Sequence, residues 1–368
     1  MGTGLAGEGH MALHEPIWIA GCMSGTSMDG VDVAMLRTDG VQIYEFGRTA
    51  YRAFTDAERA VINHAQGQWH DGPDVAAAAK VVEDAHIEVL SDFPEAQMIG
   101  FHGQTLAHDP AGKGTHQAGD GAVLSSNLNR PVVWDFRTAD VTLGGQGAPL
   151  APVYHAALVR WVGIAAPVMV LNLGGVGNLT WIDPSAPDDL LAFDTGPANA
   201  PLDDLMQTRL GQGYDKDAKI ARAGTIDQAM VDQILALPYF QQLPPKSLDR
   251  NSFADALNSI RHLSTEDAAA ILTEVMVASV IKALDHLPSD PSQIWVCGGG
   301  RQNPLVMERL TSAAPCTVQN IDEFNIDGDM VEAQAFAFLA ARVKAGLPTS
   351  FSGTTGVVMS VGGGTISG

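Results

Sequence analysis

Residues 21–32 read GCMSGTSMDGVD, set between the apolar runs Ile17-Trp18-Ile19-Ala20 and Val31-Asp32-Val33-Ala34-Met35-Leu36. Strand, tight turn, strand is the obvious reading, yet Asn-Gly alone would close such a hairpin. This turn instead carries glycines, serines, a threonine and the carboxylates Asp29 and Asp32. Small polar residues suit any turn. They also suit a turn that holds a ligand: Gly admits close backbone approach, N–H groups and hydroxyls face an anion, and an aspartate serves a metal. The same design returns at 168–182 (VMVLNLGGVGNLTWI), and the strand Ile294-Trp295-Val296-Cys297 runs into Gly298-Gly299-Gly300. One Gly-rich turn means little, since Gly marks turns generally. Three in this order make sense as one nucleotide site, with two hairpins on the phosphates and the third loop against an adenosine.

The rest of the chain fits an α/β protein of two domains. Its 368 residues exceed one simple core; 46 % are hydrophobic and 17 % charged, which argues against extensive disorder. A formal net charge of −21 repels nucleic acid and anionic membrane, so a phosphate-bearing ligand needs local backbone donors and Mg²⁺. Cys22, Cys297 and Cys316 form no CxxC spacing and suggest neither a disulfide framework nor a zinc site. No signal peptide or membrane span is evident, and a soluble cytoplasmic protein is expected.

Pattern and composition predict a third strand over 41–48 and a helix over 74–90. Met98–Phe101 reads as a strand ending at His102-Gly103-Gln104-Thr105, Val123 begins a helix, and Pro131–Trp134 is a strand ending at Asp135-Phe136-Arg137. Polar residues at strand ends mark the ligand side of an open α/β sheet. The segment 144–149 looks like a hinge, followed by a helix over 150–161. Further helices are predicted at 265–287, with Ser264 as N-cap and Asp267 as its partner, and at 304–313 and 331–345. The expected domains are 1–145 and 146–368, with a possible return to the first near the end. Other phosphate binders are excluded: there is no GxxxxGK[ST], and Gly112-Lys113-Gly114 lacks the spacing and preceding strand of a P-loop.

GTSMDGVD (25–32), FHGQT (101–105), GDGAVL (119–124), DFR (135–137), GGQGAPL (144–150), NLGGVGNLT (172–180), FDTGPAN (193–199) and LPPKS (243–247) together resemble the 1,6-anhydro-N-acetylmuramic acid kinases. The resemblance runs through Asp267-Ala268-Ala269 and Gly298–Gly300 to Glu332-Ala333-Gln334-Ala335-Phe336-Ala337. It implies two RNase H-like lobes of the acetate/sugar kinase, Hsp70 and actin superfamily, with ATP in the cleft between them. The implied reaction belongs to peptidoglycan recycling: ATP and water convert the anhydro sugar to N-acetylmuramic acid 6-phosphate.

By that resemblance Gly25, Thr26, Ser27, Met28, Asp29, Gly30, Val31 and Asp32 form the first phosphate hairpin, and Asn172, Gly174, Gly175 and Asn178 the second. Gly298, Gly299 and Gly300 contact adenosine; His102, Gln104, Thr105, Asp120, Arg137 and Glu332 line the sugar cleft; Asp194 is the catalytic base. Asp29 and Asp32 are both candidates to hold Mg²⁺ through water, and a homodimer is the expected assembly. The family usually has Gly where this chain has Ala198, a methyl tolerated at negative φ and costly at positive φ.

The chemistry points the same way. Opening a bridged acetal needs an activated water, while the departing O6 is itself the phosphoryl acceptor. One carboxylate then suffices where an inverting glycosidase needs two. Asp194, read as lying at a strand end before Thr195-Gly196-Pro197, is placed for that role; alone it could equally be a turn or cap aspartate. His102 alone would be read as satisfying a backbone carbonyl. Arg137 suits an ion pair or the lactyl carboxylate of a muramic acid. The alternative is another sugar or acetate-type kinase acting on an ordinary hydroxyl. A chaperone-like nucleotide module leaves HGQT and DFR unexplained, and a non-catalytic glycan binder has no use for nucleotide loops.

Overall fold

The computed structural model describes residues 12–25, 27–186, 189–248, 253 and 258–368. Thr26, expected in the first hairpin, lies outside them. The chain opens with β1 (Ile17–Ser24), β2 (Gly30–Thr38) and β3 (Ile43–Ala53), then α1 (Asp56–His64) and α2 (Val75–Leu90). There follow β4 (Met98–Asp109), β5 (Gly114–Ala118), α3 (Gly121–Leu128), β6 (Val132–Trp134), α4 (Thr138–Thr142) and α5 (Pro152–Val162). The second half brings β7 (Val168–Leu173), β8 (Val176–Ile182), β9 (Leu191–Pro197), α6 (Asn199–Leu210), α7 (Lys219–Ala223) and α8 (Gln228–Leu235). After these come α9 (Thr265–Ala283), β10 (Gln293–Cys297), α10 (Pro304–Ala313), β11 (Thr317–Asn320), α11 (Val331–Lys344), α12 (Ser352–Thr355) and β12 (Thr365–Ser367).

Two sheets result, and they share one plan. The first runs β12-β6-β4-β1-β2-β3, with β5 paired to β4; the second runs β11-β10-β7-β8-β9. In each, an antiparallel meander (β1-β2-β3, β7-β8-β9) gains two parallel strands beside its first member (β4 and β6, β10 and β11). This duplicated α/β architecture is the two-lobe fold that the sequence motifs imply.

The compact units do not follow the expected division at 145. One takes the chain through Trp161, then Glu332–Ser352 and Gly356–Gly368; the other takes Val162–Val331 and Gly353–Thr355. The first extends past residue 145 because α5 is fastened to it. Tyr154 donates its hydroxyl to Gln334 Oε1 at 2.6 Å, Arg160 reaches the Val41 carbonyl, and Trp161 sits edge-on to Phe46. The expected hinge at 144–149 is a loop bonded at Gly145 and Gly147 to Asp140 of the same unit. The helix after it begins at Pro152 rather than Leu150.

Strand alternation explains the packing of the first unit. Ala20, Cys22, Ile99 and Phe101 face α2, where Val82, Ala85 and Val89 complete a core. Gly21 and Gly100, paired in register, face α11. A Cβ on Gly21 would lie 1.9 Å from the Ala333 carbonyl oxygen and one on Gly100 2.2 Å from that of Phe336, so sheet and helix backbones touch. In the second unit α9 is buried around most of its circumference because it is central. Met276, Val277 and Val280 meet the sheet residues Leu171 and Phe193, while Ile271 and Val275 meet Val231 and Phe240. Ser264 caps α9 by accepting the Asp267 N–H, and Asn303 caps α10 ahead of Pro304.

Candidate active site

In the first unit the β1–β2 turn is clamped on two sides. Ser24 Oγ donates to Gln104 Oε1 at 2.8 Å, and Gln104 Nε2 donates to the Gly25 carbonyl at 3.1 Å. On the other side the Asp29 carbonyl accepts from Phe54 N–H at 2.9 Å and from the Tyr51 hydroxyl at 3.0 Å. Met28 adopts φ 54°, with its N–H on the Gly25 carbonyl. Ser27 and Asp29 are exposed and bonded to each other, Oγ to Oδ1 at 2.8 Å. Val31 is buried in the core and Asp32 half-buried. Gly30 is required for packing: a Cβ there would lie 2.5 Å from the Arg52 carbonyl and 2.6 Å from the Tyr51 ring. At Gly25 the nearest atom would be Ser27 Oγ at 3.4 Å, so that part of the turn is open.

The HGQT residues do not follow a strand end. β4 continues through them to Asp109, with Gly103 at φ 75° marking an irregularity in its pairing with β1. The strand persists because β5 pairs with it from Gln104 to Asp109. His102 is buried, with Nδ1 2.7 Å from the Gly103 carbonyl. Its Nε2 faces Arg137, 3.1 Å from Nε and 2.9 Å from Nη2. Since Arg137 can only donate, His102 carries its proton on Nδ1 and accepts at Nε2. Burial, then the Arg137 charge, hold its pKa well below the usual histidine range.

Arg137 Nη1 donates to the Gly147 carbonyl at 2.7 Å. Burial lowers its pKa to about 10, opposed by the charges of Glu332 and Asp140. His102, Arg137 and Glu332 thus form one group, backed by Phe336 at 4.6 Å from the His102 ring. The other expected sugar residues have polar atoms engaged within the fold: Gln104 holds the hairpin, Thr105 Oγ1 accepts from Gln117 Nε2, and Asp120 caps α3 through the Ala122 N–H.

In the second unit the β7–β8 turn meets the start of α6. The Gly174 carbonyl accepts the Asn199 N–H, and the Gly175 carbonyl accepts those of Ala198 and Ala200. Asn199 Nδ2 adds a bond to the Leu173 carbonyl at 2.8 Å. Because the N–H of a trans peptide points opposite its carbonyl, the Gly175 N–H faces away from α6. Ala198 has φ −122°, so its methyl carries no left-handed strain. The Gly298–Gly300 turn lies against the end of β7: a Cβ on Gly298 would meet Asn172 Oδ1 at 2.2 Å, and one on Gly300 would meet Leu173 Cβ at 2.5 Å. Buried Arg301 braces this turn, bonding the Gly298 carbonyl at 3.1 Å, Asp322 at 3.0 Å and Asp329 at 2.6 Å.

Asp194 lies inside β9, not at its end, because Asn178 of β8 pairs opposite it. Asn172 pairs with Asn178 in turn. Directly opposed cross-strand residues present side chains on the same face. Asn172, Asn178 and Asp194 therefore stand in a row on one face, all half-buried amid buried neighbours. The Asp194 carboxylate accepts the Leu248 N–H at Oδ2, 2.7 Å away. Burial pushes its pKa up to about 7, against the lowering effect of that bond. A carboxyl poised there suits proton abstraction at neutral pH. Tyr239 donates its hydroxyl to the Asp194 carbonyl, and the Asp194 N–H bonds the Lys246 carbonyl, so the LPPKS segment fixes the strand beside the carboxylate.

Sequence reading did not single out Asn199, Tyr239 or Arg301. The first two act through backbone contacts across the fold, and only the adjacency of Asn199 to DTGPA hinted at its place.

The sequence matches the anhydro-N-acetylmuramic acid kinase family over residues 17–367. It is 54 % identical over 356 residues to the anhydro-N-acetylmuramic acid kinase of Ruegeria sp. (strain TM1040), covering 95 % of each chain. It is 53 % identical over 365 residues to that of Roseobacter denitrificans, covering 98 % of this chain and 97 % of the relative. Identity to that of Cereibacter sphaeroides is 54 % over 356 residues, covering 95 % and 96 %. The chain belongs to the anhydro-N-acetylmuramic acid kinase family.

Proposed function

We propose that this chain is an ATP-dependent kinase that hydrolytically opens 1,6-anhydro-N-acetylmuramic acid and phosphorylates O6, giving N-acetylmuramic acid 6-phosphate in peptidoglycan recycling. The observation that carries the reading is Asp194: a carboxylate raised to about 7 and aligned with Asn172 and Asn178 of the second Gly-rich hairpin. Asp194 accepts a proton from water as the water oxygen bonds the anomeric carbon. The C1–O6 bond breaks, and O6 takes the γ-phosphoryl group as ADP departs. Phosphoryl transfer asks little covalent chemistry of the protein beyond positioning and charge stabilisation.

The turn around Gly25–Asp32 and the turn at Gly174–Gly175 serve the phosphates, and Gly298–Gly300 the adenosine. Arg137 takes the lactyl carboxylate: three of its five N–H donors go to His102 and Gly147, leaving one on each terminal nitrogen. A planar carboxylate matches such a pair. His102 orients the guanidinium, and Glu332 offers an acceptor to sugar hydroxyls.

Asp29 and Asp32 fit Mg²⁺, which binds through one or two carboxylates, water and substrate phosphates rather than an all-protein cage. When bound, the ion supplies charge neutralisation at the phosphates. No helix among the described residues is long and apolar enough to cross a membrane. We place the enzyme in the cytoplasm, where its co-substrate ATP is made, and as a homodimer, which light scattering tests.

The deciding assay is ADP production with the anhydro sugar, set against N-acetylmuramic acid and N-acetylglucosamine. Turnover with the anhydro sugar above both others is expected; equal or greater turnover with an open sugar would overturn the reading.

A further inference from the structure

We propose that Asp140, seconded by Ser350, is a positioning residue that sets the Arg137 guanidinium for the substrate carboxylate; this rests on the reading of Arg137 given above. Asp140 lies in α4 and is 1 % exposed. A carboxylate so buried is costly unless hydrogen-bonded. Its Oδ1 accepts the Gly147 N–H at 2.6 Å, and its Oδ2 accepts the Ser350 hydroxyl at 2.5 Å. Its main-chain carbonyl accepts the Gly145 N–H at 2.9 Å.

These bonds explain the Gly-rich loop that follows. A Cβ on Gly145 would lie 2.1 Å from Asp140 Oδ1, so the carboxylate occupies the space a side chain would need. Gly147 has φ 68° and is held at both ends: its N–H by Asp140, its carbonyl by Arg137 Nη1 at 2.7 Å. Arg137 is also the residue from which α4 starts. Residues 137–147 therefore close into a ring in which the guanidinium is held by its own loop, and Asp140 fixes that loop from inside. Ser350, from the chain's return to this unit, fixes Asp140. Without the carboxylate the Gly147 carbonyl loses its fixed place, and the guanidinium is left with His102 and the charge of Glu332 as guides.

Steady-state kinetics with the anhydro sugar and ATP test this in Asp140→Ala, Asp140→Asn, Ser350→Ala, Arg137→Ala and the Asp140→Ala/Arg137→Ala double variant. Misplacing one binding group should raise the sugar KM of Asp140→Ala by roughly 10–100-fold, with kcat and the ATP KM much less affected. Asp140→Asn should recover most of the loss, since its oxygen can accept from Gly147 while its amide donates to Ser350 Oγ. In the double variant the alanine at 140 should add nothing to the sugar KM already raised by Arg137→Ala. A merely structural role predicts instead that it adds its full effect there, and that outcome overturns the proposal. A raised sugar KM in Arg137→Ala with an unchanged one in Asp140→Ala also overturns it while leaving the reading of Arg137 intact. An unchanged sugar KM in Arg137→Ala removes that reading and the proposal with it. Should Asp140→Ala not fold, Ser350→Ala removes the hydroxyl bond to Oδ2, and an unchanged sugar KM there refutes the arrangement.

Discussion

Replacing Asp194 with Asn should abolish activity and stabilise the protein, and the two effects share one cause. Burial raises the carboxyl from 3.8 to about 7. Between those values the unfolded chain releases the proton while the folded chain keeps it, so wild-type stability falls as pH rises through this window and levels off above about 7. At 1.36 kcal/mol per pKa unit the full shift is worth about 4 kcal/mol. The half-buried carboxylate keeps contact with solvent, so a realised gap of about 2 kcal/mol is expected. Asn has no such titration, and its oxygen can still accept the Leu248 N–H. The variant should match wild type near pH 4 and exceed it by a few degrees in Tm at pH 8. Loss of a general base costs roughly 10²–10⁴-fold in rate. Wild-type kcat/KM should fall about tenfold per pH unit below about 7, as the base protonates. Thermal melts at the two pH values and a pH–rate profile check both. A stability gap that does not change with pH refutes the burial argument; near-normal turnover refutes the assignment of the base.

Other expectations follow from individual contacts. Gly174→Val should fold normally, since a Cβ there meets nothing nearer than the Val176 carbonyl at 3.7 Å; calorimetry should find weakened ATP binding, and unchanged affinity would exclude that turn from the site. Gly21→Ala should cost more than about 3 kcal/mol by overpacking, because its methyl would fall 1.9 Å from the Ala333 carbonyl oxygen; a denaturant midpoint close to wild type would contradict the packing of α11 on β1. Arg301→Met should lose about 1–3 kcal/mol and weaken ATP binding together, because one side chain ties the Gly298 carbonyl to Asp322 and Asp329; a stability loss with intact ATP affinity would separate the brace from the site.

Much of the fold was legible because its signals are local. The alternation and Gly-rich turn of 17–36 and 168–182 gave both hairpins, and Ser264 and Pro304 marked their helix starts. Where reading failed, a distant partner decided. β4 runs through HGQT because β5 pairs with it, and Asp194 sits inside β9 because Asn178 lies opposite. The boundary at 145 failed similarly: a Gly-rich loop reads as a hinge until a buried carboxylate is found fastening it. His102 and Arg137 were legible as site candidates, but their mutual bond, which fixes the histidine tautomer, joins the middle of β4 to the start of α4, which only the pairing of β4 with β6 brings together.

That sheet order also fixes which segments can hold each hairpin turn. β4 runs parallel to β1 and β10 parallel to β7, so the chain leaving each second strand emerges at the same edge as the neighbouring hairpin turn. In the second unit β10 ends there, and the backbone of Gly298–Gly300 packs on Asn172 and Leu173. In the first unit β4 continues, and a side chain does the equivalent work: Gln104 accepts from Ser24 and donates to the Gly25 carbonyl. Although Gln104 belongs to the segment expected to bind sugar, we propose that its loss should register at the nucleotide. Gln104→Glu keeps an acceptor for Ser24 but sets an oxygen against the Gly25 carbonyl. The Gly25 carbonyl keeps the Met28 N–H but loses its Gln104 donor and faces a carboxylate oxygen instead; losing one such bond costs about 0.5–1.5 kcal/mol before that repulsion is added, so the ATP KM should rise about tenfold while the sugar KM changes far less. If the sugar KM rises alone, Gln104 contacts the sugar directly, and the anchoring of the first phosphate turn must lie with Tyr51 and Phe54 on its other side.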